Sequence, residues 1–131
     1  MTSNNHHKNA VNGSGISRIV KATRCSILGL QAAYKHEAAF RQELWVSILL
    51  TPIAILITDS LAEFTALMVV MLIVLIVELL NSAIESVVDR ISLEHHELSG
   101  RAKDLGSAAV SIALVVAGIV WLVQIIKFLT Q

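Results

Sequence analysis

One cysteine, one proline and only 15% charged residues define what this chain of 131 residues goes without. The lone cysteine, Cys25, excludes an intrachain disulfide and a cysteine-built metal cluster. Basic and acidic side chains balance at ten each, so the total charge gives no support to nucleic-acid binding. No G-x-x-x-x-G-K-S/T loop and no G-x-G-x-x-G segment is present, so a nucleotide site here is neither a P-loop nor a protein-kinase fold. An H-E-x-x-H pair and a Ser-His-Asp set are missing too.

Apolar residues, by contrast, make up 55% of the chain. That is a membrane-protein composition and implies one small all-α membrane domain. Residues 1–15 are rich in Asn, Ser, Gly and His. They hold no apolar core for a cleaved secretion signal and read as a disordered leader, with His6 and His7 incidental. From Ile16 to about residue 35, apolar positions at Ile16, Ile19, Val20, Ile27, Leu28, Leu30 and Tyr34 alternate with Arg18, Lys21, Arg24 and Lys35. This predicts a basic amphipathic helix on a membrane surface.

Three spans follow, over about residues 40–58, 61–90 and 105–129. The apolar run Leu44 to Ile57 reaches only about 20 Å at ~1.5 Å per residue, so flanking turns must complete the crossing. Pro52 is expected to bend that helix. A polar turn at Thr58-Asp59-Ser60 separates the first two spans, and the segment from Ser92 to Asp104, with Gly100 suited to a turn, separates the last two. Six of the ten Lys and Arg residues precede the apolar run of the first span at Leu44, and Arg90, Arg101 and Lys103 lie near the second polar segment. The amino terminus and that segment are therefore expected on the cytoplasmic side.

The chemistry concentrates where the second span runs without a break from Phe64 to Val77 into Glu78-Leu-Leu-Asn81-Ser82-Ala-Ile-Glu85-Ser-Val-Val-Asp89-Arg90. At ~100° per residue Glu78, Ser82, Glu85 and Asp89 stack on one face, with Asn81 beside them. An ordinary solvated helix face accounts for Asp89 as well as a site does. A carboxylate at the end of an apolar span is different, because it costs on the order of 2.5–3.5 kcal/mol at mid-membrane and marks function by default. Glu37, Arg41, Glu43, Glu78, Asn81, Glu85, Lys103 and Asp104 all fall near one interface. Such a set suits Mg2+, which takes carboxylate oxygens and bridges them to substrate phosphates. Lys103 would neutralise phosphate charge, and a carboxylate at membrane level would take a proton from a lipid hydroxyl. A small proton or cation channel is the rival from another class, but it leaves Lys103, Asp104 and the Glu37 cluster unexplained.

Three ordered motifs, E-A-A-F-R-Q-E from Glu37 to Glu43, V-E-L-L-N-S-A-I-E-S-V-V-D-R from Val77 to Arg90 and H-E-L-S-G-R-A-K-D-L-G-S-A-A-V from His96 to Val110, closely resemble the small bacterial integral-membrane diacylglycerol kinases. The resemblance runs from about residue 18 to the third span. It implies a homotrimeric helical bundle of three-span chains, each with an amino-terminal surface helix, and active sites shared between neighbours. It further implies transfer of the γ-phosphoryl group of ATP, with Mg2+, to diacylglycerol, giving phosphatidic acid at the inner-membrane cytoplasmic face. A sister activity on undecaprenol is the alternative within the same fold.

By the same resemblance Glu78 is the general base, and Glu37 and Glu85 hold the divalent cation. Asn81 supports them, Lys103 and Asp104 contact the nucleotide, and Arg18, Glu94 and His96 line its pocket. The lipid is received by Arg18, the turn of Ala39, Phe40, Arg41, Gln42 and Glu43, and Ser107. Cys25 and His95 are given no role.

Overall fold

The computed structural model describes residues 15–91, 94 and 96–131. Of the leader expected over residues 1–15, only Gly15 is described, and His6, His7 and His95 lie outside the described residues. Four helices follow in order: α1 (Ile16–His36), α2 (Ala38–Ile57), α3 (Leu61–Ile91) and α4 (Glu97–Leu129). The chain divides into two compact units, Met1–Ala32 and Ala33–Gln131, each described by itself.

In the first unit, Gly15 precedes α1 with a φ of 66°, a left-handed conformation that costs glycine little. Its carbonyl accepts the Arg18 N–H at 3.2 Å and closes the first turn. Ile16, Ile19, Val20, Ile27 and Leu28, the apolar positions of this amphipathic helix, are all exposed.

The second unit begins with the last turn of α1. A single extended residue, Glu37, separates that helix from α2. Arg41 secures the junction, its guanidinium Nη1 donating to the carbonyls of Tyr34 at 3.0 Å and Lys35 at 3.2 Å. These are end-of-helix carbonyls with no intrahelical donor, where a cation is favoured.

Helices α2, α3 and α4 are each long and apolar enough to cross a bilayer. Together they make an all-α membrane fold of three spans, preceded in the chain by an amino-terminal helix. Helix α3 packs mainly on α4 and less on α2. The shared core is Ala54, Ile57, Leu67, Val70, Met71, Val74, Ala113, Ala117 and Trp121. Small residues at Ala113 and Ala117 let the helices approach closely, the usual device where lipid supplies no hydrophobic drive. Trp45, Leu49, Leu56, Leu72, Leu122 and Val123 stay exposed, as lipid-facing positions do.

Pro52 lies inside α2 and withholds one backbone donor from the preceding turn. Hydroxyls take up carbonyls nearby: Ser47 donates to Glu43 O and Thr51 to Ser47 O, both at 2.8 Å. Between α2 and α3 the turn is built by a reciprocal cap. Ser60 Oγ accepts the Glu63 N–H, while Glu63 Oε2 accepts the Asp59 N–H, both at 3.3 Å.

One sequence expectation is corrected. Gly100 is not in a turn, because α4 already starts at Glu97 and runs through it. The cause is a cap the sequence pattern concealed: His96 is extended and its Nδ1 accepts the Leu98 N–H at 3.2 Å. With Glu97 in the first turn favouring the positive end of the helix dipole, the polar segment winds into helix before the apolar span begins.

Candidate active site

Helix α3 carries the acidic stripe, and its register against α4 decides which members are buried. Glu78 is only 4% exposed and Ser82 8% exposed. Glu85, almost two turns on, is half-buried, and Asp89 is exposed. The stripe thus runs from the packed interior to the surface along one helix face. A buried carboxylate without a paired cation is expensive and persists only for a reason.

Asn81 bridges the stripe. Its amide Nδ2 donates to Glu85 Oε1 at 3.2 Å. Its Oδ1 is buried and has no hydrogen-bond partner. Glu43 brings a second such atom from α2, since its Oε2 is also buried and unpartnered. Glu37 and Glu85 lie near enough to Glu78 for their charges to act on it, and Glu78 acts in turn on Glu43. Four carboxylates and an amide from α2, its amino-terminal junction and α3 therefore share one electrostatic neighbourhood.

On α4, Lys103 Nζ meets Asp89 Oδ1 at 2.6 Å, and the charge of Glu85 also reaches it. This α4 cation is thus tied to the outer end of the stripe, a pairing that the sequence reading of Asp89 and Lys103 as separate residues missed. Its sequence signal is weak: Asp89 lies two residues before the end of α3 and Lys103 six residues into α4, on either side of the same polar segment.

The remaining expected residues divide by place. Phe40 is buried, whereas Ala39 and Gln42 are exposed on the first turn of α2. His96 is engaged as the α4 cap. Glu94 stands in a bend, and Asp104 and Ser107 are exposed on α4. Arg18 belongs to the first unit.

Beside Glu43 opens a groove of about 400 Å³ between the three spans, with Val46, Leu50, Val74, Ala117, Gly118 and Trp121 on its walls. Its lining is apolar apart from Gln42, Glu43 and Ser47 at one end. The indole Nε1 of Trp121 is a third buried polar atom with no partner. An apolar groove with polar groups at one end suits an amphiphile.

For a divalent cation, no three His, Cys, Asp or Glu side chains form a closed ligand set among the described residues. Mg2+ is commonly held by one or two carboxylates that share the ion with water and substrate phosphates. Glu85, held by Asn81, and the neighbouring Glu37 provide donors of the right type, and the unpartnered Asn81 Oδ1 marks a polar demand that the isolated chain leaves unmet.

The opposite end of the helix pair carries a polar cluster that sequence reasoning did not anticipate. Buried Gln124 on α4 donates through Nε2 to the Ile57 carbonyl at 2.7 Å and to Glu63 Oε2 at 3.0 Å. Lys127 Nζ reaches Glu63 Oε1 at 2.7 Å and Asp59 Oδ2 at 3.1 Å. Bonds from the Gln131 amide and from Lys127 hold the Asp59 carboxyl below the ordinary carboxylate range. A glutamine three residues before a lysine, on one face of an apolar span, was the available signal.

Fold and site together define a class: a polytopic α-helical membrane protein whose acidic stripe begins at a buried carboxylate, with an apolar groove of about 400 Å³ between its spans. Comparison with known proteins narrows it. The sequence profile of the family described as prokaryotic diacylglycerol kinase matches residues 24–125. The diacylglycerol kinase of Escherichia coli K12 is 56% identical over 113 residues, 86% of this chain and 92% of that protein. Those of Pseudomonas aeruginosa and Haemophilus influenzae are 50% and 46% identical over 108 residues, 82% of this chain and 88% and 92% of their own lengths. The chain belongs to the prokaryotic diacylglycerol kinase family and is an enzyme, a transferase of the lipid-kinase type.

Proposed function

We propose that the chain transfers the γ-phosphoryl group of ATP to the free hydroxyl of 1,2-diacylglycerol, giving phosphatidic acid and ADP in phospholipid recycling. The observation that carries this reading is Glu78, a carboxylate buried at the end of an apolar span and within electrostatic reach of Glu37, Glu43 and Glu85. Its position at membrane level suits a group that meets a lipid hydroxyl rather than a water-soluble one.

Glu78 accepts the hydroxyl proton as the lipid oxygen bonds to the γ-phosphorus and the bond from that phosphorus to the β,γ-bridging oxygen breaks. Proton acceptance by a positioned side chain supplies about 10²- to 10⁴-fold. Glu85 and Glu37 hold Mg2+, with Asn81 fixing the Glu85 carboxylate. The cation, when bound, offsets negative charge on the nucleotide phosphates. Lys103 and Asp104 contact the nucleotide, Glu94 and His96 line its pocket, and Ser107 contacts the lipid. Phosphoryl transfer needs little more than such positioning and charge neutralisation. The groove beside Glu43 takes an acyl chain, with the Ala39 to Glu43 turn at its polar end.

Three copies assemble, with each site completed by a neighbour, which supplies partners for the buried Glu43 and Asn81 oxygens that one chain leaves bare. The distribution of Lys and Arg supports an amino terminus and a site on the cytoplasmic side of the inner membrane.

The test is phosphorylation by purified protein in mixed micelles, with diacylglycerol and undecaprenol offered separately, in Mg2+ and in EDTA. Magnesium-dependent phosphatidic acid formation that outpaces undecaprenyl phosphate is the expected result. The reverse preference would keep the mechanism and change the substrate, and no product from a folded assembly would refute the reading.

A further inference from the structure

We infer that Gly106 is a positioning residue for Glu85, acting through Asn81: the bare Cα of Gly106 on α4 is what lets the Asn81 amide lie where it bonds the Glu85 carboxylate. This rests on the functional reading above, in which Glu85 serves the nucleotide-bound cation.

Among the described glycines the geometry is specific to one. A Cβ built at Gly29, Gly100 or Gly118 meets nothing within 4 Å. At Gly106, which is buried in the α3–α4 contact, it would overlap Asn81 Oδ1 and press on Asn81 Cγ at 3.3 Å. The Asn81 backbone Cα stands at 3.8 Å, an ordinary contact, so the helices themselves need not part. The side chain must move instead.

An amide is planar and rigid, so Oδ1 cannot be displaced without carrying Nδ2 with it. Nδ2 is the atom that donates to Glu85 Oε1 at 3.2 Å. Turning the amide over would not preserve the arrangement, because it would aim an oxygen at a carboxylate. A methyl group on α4 therefore reads out as a loosened carboxylate on α3. The fold has little reason to suffer, since alanine favours a helix interior over glycine. A loss of function with unchanged or improved stability separates positioning from mere packing.

The experiment compares the unsubstituted chain, Gly106→Ala, Asn81→Ala and the double variant, all assembled in detergent micelles. Binding of Mn2+ in the presence of a non-hydrolysable ATP analogue is followed by electron paramagnetic resonance, beside KM values for nucleotide and lipid and thermal unfolding. Gly106→Ala is expected to weaken Mn2+–nucleotide binding at least fivefold and raise the nucleotide KM, with lipid KM and unfolding midpoint little changed. Asn81→Ala should show a similar loss. In that background the collision partner is gone, so adding Gly106→Ala should change binding less than twofold. Binding by Gly106→Ala within twofold of the unsubstituted chain would overturn the inference alone, as would effects that multiply in the double variant. If Gly106→Ala does not assemble while the double variant does, the collision with Asn81 is confirmed directly; failure of both to assemble would overturn the positioning role in favour of packing. No Mn2+–nucleotide binding by the unsubstituted chain would overturn the functional reading and this inference with it.

Discussion

Replacing Gln124 with leucine removes two hydrogen bonds from a buried position while keeping the side-chain volume close to constant. One bond goes to the Ile57 carbonyl at 2.7 Å, a group at the end of α2, and the other to the Glu63 carboxylate at 3.0 Å. Taken at values for soluble proteins, a neutral bond contributes about 1 kcal/mol and one to a charged group about 1.5–3 kcal/mol. Membrane proteins give less, averaging about 0.6 kcal/mol per bond, because the unfolded chain in lipid also finds partners. Leucine recovers some apolar packing, so the expected net loss is about 1–3 kcal/mol, roughly 5- to 150-fold in the unfolding equilibrium. Unfolding by sodium dodecyl sulfate in mixed micelles, followed by far-ultraviolet circular dichroism, measures it. These bonds, which lock α4 to the start of α3, lie about 22 Å along α3 from Glu78, since residues 63 and 78 are separated at ~1.5 Å per residue. Turnover at a temperature where the variant stays folded should therefore be within about twofold of the unsubstituted enzyme, well under the tenfold that ~1.4 kcal/mol of barrier represents. A Gln124→Leu variant as stable as the parent would refute the reasoning, and so would a selective loss of kcat with stability intact.

Three further outcomes are expected. Glu78→Gln should lower kcat by at least about 100-fold while the assembly survives gel filtration, and retention of most turnover would remove Glu78 from the base role. Glu85→Gln should raise the Mg2+ concentration needed for half-maximal rate by on the order of tenfold, as loss of one carboxylate ligand implies, measured at saturating lipid; an unchanged metal dependence contradicts the ligand assignment. For Asp59 the sign follows from its depressed titration: its contribution is complete above the unfolded value of about 3.9 and fades as pH falls through the lower folded value. The melting temperature should therefore drop more steeply below about pH 4 in the parent than in Asp59→Asn, and parallel curves would count against the Gln131 and Lys127 contacts as its cause.

Hydropathy alone carried the three spans, because apolar runs such as Phe64 to Val77 have one outcome in lipid. The acidic stripe was legible for a similar reason: helical periodicity places Glu78, Asn81, Ser82 and Glu85 together before any partner is known. What stayed hidden depends on a second helix. Nothing local in Glu97 to Asp104 distinguishes a polar loop from a capped helical turn until His96 is seen accepting the Leu98 N–H. Gly106 looks like any small residue in a span until Asn81 lies against it. The Asp89–Lys103 pair and the Gln124 bonds join residues on separate helices, and single-helix periodicity holds no information about such pairings.

Apart from the Trp121 indole N–H, one turn from Gln124, the two ends of the α3–α4 pair resolve buried polarity in opposite ways, and the contrast supports the proposed site. At the Glu63 end both bonds of buried Gln124 are made, and the carboxylates of Asp59 and Glu63 are matched by Lys127. A satisfied network of this kind rigidifies and needs nothing more. At the other end Glu78 is buried with carboxylates for neighbours, while Asn81 Oδ1 and Glu43 Oε2 have no partner. Buried polar groups are nearly always paired in native structures, so those left bare point to something the isolated chain does not contain. A neighbouring subunit, a nucleotide with its cation and a lipid hydroxyl are together a sufficient set. The cost of leaving that end incomplete is borne by the packed core and the lock at the far end, and this is why loosening the lock should lower stability before it touches catalysis.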